Sequence, residues 1–331
     1  MKTMFSIKIM VGACTGIFFL LYGVGVYWSS EPASINIHAE VTQAAKAENV
    51  APVVGYTTTT ALIKVSETLL HKPGGYLSND ILPPSLFLDN MPAWEFGVLE
   101  MVRDMALVMR KDFSRSQSQS LVNQYLKEAQ PRFNIDHRNW AMPSAESEYG
   151  KAIELLYAYR TALVSSNGSN RAQFYARADN LRAYLDEVQK RLGSYSHRLS
   201  LSVGREQVNT DLAGDSRAEQ SSQGDSYIQL KTNWWQIDDV FYEARGATWA
   251  LLQLLRAIEI DFNSVLENKN AKISLQQIIR ELEASQESLW SPMILNGSGF
   301  GLLANHSLVM ANYISRANAA LIDLNELLTK G

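Results

Sequence analysis

IDDVFYEARGATWALLQLLRAIEIDFNSVLE, residues 237–267, decides the architecture. Asp238 and Asp239 open it, placing acids where a helix presents unpaired amides, and no proline or turn cluster interrupts the run as far as Glu267. Val240, Phe241, Ala244, Ala247, Trp249, Leu251, Leu252, Leu254, Leu255, Ile258, Ile260 and Phe262 cover nearly every face. A helix that is apolar all round has to be enclosed by others, so the segment predicts the central member of a helical bundle.

The chain on either side keeps this character. Its nine prolines stand at 32, 52, 73, 83, 84, 92, 131, 143 and 292, which leaves residues 144–291 free of a built-in helix break. Phe174, Ala178, Leu181, Leu185, Val188, Leu192, Tyr195 and Leu199 recur at alternating steps of four and three, the spacing of a coiled-coil seam, with Gly193 a candidate bend. Ser144, Glu146 and Glu148 predict a capped helix start running to Leu163. Further helices are expected over 57–71, closed by Lys72-Pro73-Gly74-Gly75, and from Pro92 to about Lys111. Others are expected over 115–129 ahead of a Pro131 to Pro143 loop, from Ser274 to Trp290, and from Leu303 to about Lys330. Polar residues 203–226 read as an exposed excursion. Ile228, Leu230, Thr232 and Trp234 alternate with Gln229, Lys231 and Asn233, which allows one short extended or β segment near 227–235. The expected fold class is all-α, a single N-terminal transmembrane helix followed by a multi-helix bundle body.

Ile9 to Trp28 is a run of 20 residues without charge. At ~1.5 Å per residue it crosses a hydrocarbon layer of ~30 Å, so the lipid bilayer is the first expected partner, through residues 9–28. Lys2 and Lys8 precede the run and Glu31 and Glu40 follow it, which places the N-terminus in the cytoplasm and the body outside. The rival is a cleaved signal peptide, but the run exceeds a usual h-region and no A-x-A-like site follows. Val11-Gly12-Ala13 before Cys14 superficially resembles a lipoprotein cleavage box, yet a second apolar stretch follows where a polar tether would belong. Cys14 is the single cysteine, so the exported part has neither disulfide nor thiolate metal site, as suits an oxidising periplasm. Gly12 and Gly16 form a G-x-x-x-G pair, a candidate homodimer face. Residues 29–56 lack sustained periodicity apart from a helical patch at Ala39 to Glu48 and read as a tether. The expected division is 1–28 cytoplasmic stub and anchor, 29–56 tether and 57–331 periplasmic helical domain, in a bacterial inner-membrane protein.

Composition narrows the function classes. With 46% hydrophobic and 19% charged residues, neither a disordered chain nor a multi-span transporter describes the whole. Thirty Lys and Arg face 34 Asp and Glu, and setting aside Lys2 and Lys8 makes the body more acidic still. Phosphate backbones would repel it, so no nucleic acid is expected as a partner.

No chemical motif stands out. The five histidines include no H-E-x-x-H; His71 lies four residues after Glu67 and could share a metal with it, but no third ligand is identifiable and a helix C-terminus accounts for the histidine. His306, in Asn305-His306-Ser307 near a helix start, has no partner that sequence can name. Asp238, Asp239 and Glu243 could converge on a cation, although the helix dipole explains acids there, with Arg245 a candidate ion-pair partner. A paired-carboxylate hydrolase would draw on acids such as Glu95, Glu100 and Glu243, held ~5–10 Å apart in a cleft. Residues 292–301 are glycine-rich but lack a Walker lysine and follow a helix, so neither cofactor nor metal is expected. Trp234 and Trp235, with Tyr227 and Phe241, and the loop residues Leu86, Phe87, Leu88 and Trp94 are candidate partner anchors, with core packing the default for most.

Five strings in three stretches of the chain together resemble a family. HKPGGYLSND at 71–80 with DNMPAWEFG at 89–97, DDVFYEARG at 238–246, and LWSP at 289–292 with ANHSLVMANY at 304–313 are similar to bacterial envelope proteins grouped as domain of unknown function 2333. The likeness runs from about residue 57 to the end. It implies a Gram-negative inner-membrane protein and brings no catalytic residues with it.

The leading expectation is a single-span inner-membrane protein whose periplasmic helical body serves as scaffold or accessory subunit of an envelope assembly, with an envelope protein as partner. About eight residues precede the span, too few for a cytoplasmic output domain. The alternatives are a cell-wall or lipid-acting envelope enzyme using carboxylates, and a periplasmic ligand-sensing bundle.

Overall fold

A computed structural model describes residues 2–116, 121–165, 171–208, 227–289, 291, 293–297 and 302–330. The described chain is all-α, with eleven helices. They are α1 (Lys2–Trp28), α2 (Ile37–Glu48), α3 (Tyr56–His71), α4 (Asn90–Val108), α5 (Gln124–Phe133), α6 (Ala145–Val164), α7 (Ala178–Ser200), α8 (Ile237–Asp261), α9 (Asn263–Asn268), α10 (Lys272–Ala284) and α11 (His306–Thr329). Two short strands, β1 (Arg205–Val208) and β2 (Tyr227–Leu230), pair antiparallel with Arg205 opposite Leu230, so the extended segment near 227–235 is half of a small ribbon. The polar excursion between them, 209–226, lies outside the described residues.

The centre is α8 against α4. Trp94 meets Trp249 with ring centroids 5.1 Å apart, and Phe113 meets Phe262 at 5.2 Å. The contacts advance together along both chains, so the two helices run in the same direction. They approach closely because glycines face each other across the crossing. A β-carbon on Gly97 would lie 1.9 Å from the Glu243 carbonyl oxygen, and one on Gly246 would lie 2.0 Å from that of Trp94. No side chain fits there. α8 stops at Asp261 instead of continuing to 267, because Phe262 turns into the core and the short α9 follows.

Around this pair, α3 packs on α6 and α8, α5 on α6, and α10 on α11. The seam of α7 lies on α11 of the same chain, and Leu181, Leu185, Val188, Leu192, Tyr195 and Leu199 are all buried. α7 runs unbroken through Gly193, and Phe174 precedes it in irregular chain. Other expected boundaries move as well, and α11 starts at His306, three residues after the expected Leu303. The helix expected at 115–129 is α5, started by the Asn123 side chain accepting from the Leu126 amide and carrying Pro131 within its last turn. α4 closes in a π-turn over Met109–Phe113. α10 ends at Ala284, and Trp290, its expected limit, lies outside the described residues.

Residues 29–56 are laid against the body and do not hang free. α2 begins two residues before the expected patch, with Ile37 buried. Glu31 pairs with Arg245 at 2.7 Å, Ser34 accepts from Arg256 at 2.7 Å, and the Trp249 indole donates to the Ala33 carbonyl at 3.3 Å. Glu48 pairs with buried Arg160, whose guanidinium lies over the rings of Tyr56 and Tyr157. These contacts join residues far apart in sequence, which periodicity along a short segment does not register.

Candidate functional site

One end of the body gathers the unusual features. Over residues 8–28 of α1, the described part of its surface, only a stripe at Leu21, Val24, Gly25 and Trp28 is shielded, the spacing of a single helix face. That stripe meets two loops. Trp28 ring carbons lie 2.7 Å from where a β-carbon on Gly74 would stand, and Gly74 has φ +85°. Pro84 and Leu88 come within 3.7 and 3.8 Å of the corresponding point on Gly25. A groove of about 450 Å³ runs between Phe18, Leu21 and Tyr22 on one side and Pro84, Phe87 and Leu88 on the other. The loop that makes this contact, Ile81 to Leu88, carries no charge, and its Leu82 and Phe87 are 72% and 76% exposed.

A buried ion pair holds the base of these loops. The Glu95 carboxylate accepts from the Leu77 and Ser78 amides at 2.8 Å each, from the Ser78 hydroxyl, and from Lys72. The Lys72 ammonium also donates to the Gly75 carbonyl, and neither charged side chain reaches solvent. Burial pushes the Glu95 carboxyl up, while Lys72, Ser78 and the Leu77 amide pull it back. Every strong acceptor direction of Glu95 is thus engaged in shaping the 72–78 turn, which is a structural duty.

The N-terminal ends of α4 and α8 lie at this same end. Asp89 is close enough to Asp238 and Asp239 to raise both carboxyls; burial is the larger cause, and with Glu243 nearby it brings Asp239 to about 6. Just before α8, Trp234 and Trp235 sit on a 3-10 turn capped by Asn233, their rings edge to face at 5.0 Å and exposed. They do not pack into the core, whereas Trp94 and Phe241 do.

The other sequence candidates separate. Glu243 is gripped by Arg198 through two 2.6 Å hydrogen bonds, and Arg245 pairs with Glu31 instead. Two residues along a helix is ~200° of rotation, so Glu243 and Arg245 face opposite sides of α8. Arg245 also donates to the Ser285 and Gln286 carbonyls, capping the end of α10. Glu100 joins Asp104 on Arg191 and accepts from the Tyr195 hydroxyl. Glu95, Glu100 and Glu243 therefore each answer a cation on a packed interface. His306 opens α11, its Nδ1 accepting from the Leu295 amide at 3.0 Å, and burial lowers its basicity. Glu67 turns away from a shared ligand role with His71 and takes the Tyr157 hydroxyl and Lys64. Among the described residues, no group of three His, Cys, Asp or Glu is placed to hold a metal ion. Around Gly12 and Gly16 the helix surface is open, with nothing within 4 Å of either β-carbon position.

Sequence reasoning missed Lys72, which looked like part of a helix stop, and the contact of the Ile81 to Leu88 loop with α1. The usable signal was eight uncharged residues, two of them prolines, between Asp80 and Asp89.

The chain belongs to the DUF2333 family, described as uncharacterized protein conserved in bacteria, and the match extends over residues 1–331, including α1 and the segment after it. No curated protein and no solved structure matches it.

Proposed function

We propose that this member of the family is a single-span inner-membrane protein whose periplasmic helical body is a scaffold or accessory subunit of an envelope assembly. Among the described residues one helix, Lys8–Trp28, is long and apolar enough to cross a membrane, a property it would share with a signal sequence. The observation that carries the anchored reading is its attachment: Trp28 seats on Gly74, Gly25 on Pro84, and Glu31 on Arg245. A leader destined for removal has no need of such a seat, whereas a platform held at a fixed attitude to the bilayer does.

The interior supports the scaffold reading. Apolar residues from Ile37 to Leu328 form one core, and the acids considered for hydrolysis are paired within packed interfaces. A body of this kind offers surfaces and rigidity. The test joins topology to contact. A periplasm-dependent reporter fused after residue 331 should be active, with the full-length chain retained in the inner membrane. Photocrosslinkers spread over the exposed faces of the body should give a discrete adduct with one envelope protein. A cytosolic reporter signal, or mature protein beginning beyond Trp28, would remove the proposal.

A further inference from the structure

We propose that the loop Ile81 to Leu88 inserts into the bilayer beside α1, in the leaflet nearest the body, so that the protein grips the membrane by a span and a wedge. This rests on α1 being a membrane span. Depth is the argument. The shielded stripe of α1 runs from Trp28 down to Leu21, seven residues, which at ~1.5 Å each is ~10 Å along the helix. With Trp28 at the boundary, as tryptophans prefer, whatever packs at Gly25 and Leu21 lies within the same apolar layer. Pro84 and Leu88 pack there, and Phe87 lines the groove beside them.

The loop is built for that environment. Its eight residues carry no charge, and Pro83 and Pro84 bring no amide N–H to be satisfied. The amides of Phe87 and Leu88 bond to the carbonyls of Pro84 and Ser85 at 3.0 and 2.9 Å, and the buried Ser85 hydroxyl to Leu82. Leu82, Leu86 and Phe87 remain as outward apolar side chains without a protein surface to cover them. Exposed Trp234 and Trp235 share this end of the body, suited to the headgroup level. Acids outnumber bases among the neighbouring charges, with Asp80, Asp89, Asp238 and Asp239 against Arg138, so the attraction is apolar insertion and requires no anionic lipid.

The full chain is reconstituted in phosphatidylcholine vesicles at low protein density. An environment-sensitive fluorophore is placed on Cys14 in the native chain, or, in a Cys14→Ser background, on Leu86→Cys, Phe87→Cys or Asn268→Cys, the last at the far end of the body. Matching thermal unfolding with the native chain establishes that each variant is folded. The proposal expects the labels at 86 and 87 to be quenched by lipids bearing a nitroxide high on the acyl chain. It also expects them to be several-fold less sensitive to aqueous iodide than the label at 268. Labels at 86 and 87 as open to iodide as that at 268, with Cys14 still quenched by lipid, would overturn the wedge and leave the anchor standing. Iodide access to Cys14 would overturn the anchor and the wedge with it. Protection at 86 and 87 that vanishes at one chain per vesicle would assign the patch to a second copy and refute insertion.

Discussion

Trp28 covers Gly74, and the contact joins the last turn of α1 to the turn that follows α3. Gly74→Ala adds a methyl 2.7 Å from the indole at a residue whose φ is +85°, so steric and backbone strain coincide. The expected loss is about 1–3 kcal/mol in thermal unfolding, with faster proteolysis between residues 29 and 36. Gly75→Ala, also at positive φ but with its nearest neighbour 3.8 Å away, should cost less and leave proteolysis unchanged.

Gly97→Ala and Gly246→Ala should be the most damaging small substitutions. Both would drive a methyl into backbone carbonyls, which yield only if α4 and α8 separate. Urea unfolding should show each losing about 3 kcal/mol or more. Gly150→Ala is the counter-case, because nothing lies within 4 Å of that site in α6, and it should stabilise by about 0.5–1 kcal/mol.

Lys72→Met removes the cation and leaves the Glu95 carboxylate buried without it. The expected loss at neutral pH is about 3–5 kcal/mol. The variant should recover as pH falls. Burial already holds the native Glu95 carboxyl above its unfolded value, and losing Lys72 raises it further. The folded state then binds a proton that the unfolded state has released, so stability is fullest at low pH and declines as pH rises through the raised value. Unfolding midpoints between pH 4 and 8 test the sign.

Asp239 titrates at about 6 in the folded protein against an ordinary 3.8. Its charge therefore opposes folding above pH 6, and the penalty fades as pH drops from 6 towards 4. Asp239→Asn should raise the unfolding midpoint at pH 8 and have little effect at pH 4. At this partly exposed site, solvent screening limits the gain to under about 1 kcal/mol.

The helical fold was legible because its signals are local. The seam of α7, the all-round apolarity of α8 and the Ser144 cap each lie within a few turns of chain. The docking of residues 29–56 was not, since Glu31 and Arg245 stand 214 residues apart and no window contains both. Gly97 and Gly246 look like weak points in a helix until the opposing backbone is seen. Trp234 and Trp235 were candidate anchors by residue type alone; only the folded chain separates them from buried Trp94. The likeness carried by residues 71–97 and 238–246 did mark this end of the molecule, although it could not say that Glu95 closes a turn.

The same-direction run of α4 and α8 bears on how the chain is made. Their meeting surfaces are roughly 150 residues apart, so folding must bring together segments with a large sequence separation. As the polypeptide emerges, the apolar face of α4 waits without its mate while α5, α6 and α7 pass. The middle of the molecule closes only when three-quarters or so of the chain has been delivered. During that interval the greasy side of α4 is open to misassociation, and a helper that shields nascent helices would act there, before residue 246 arrives.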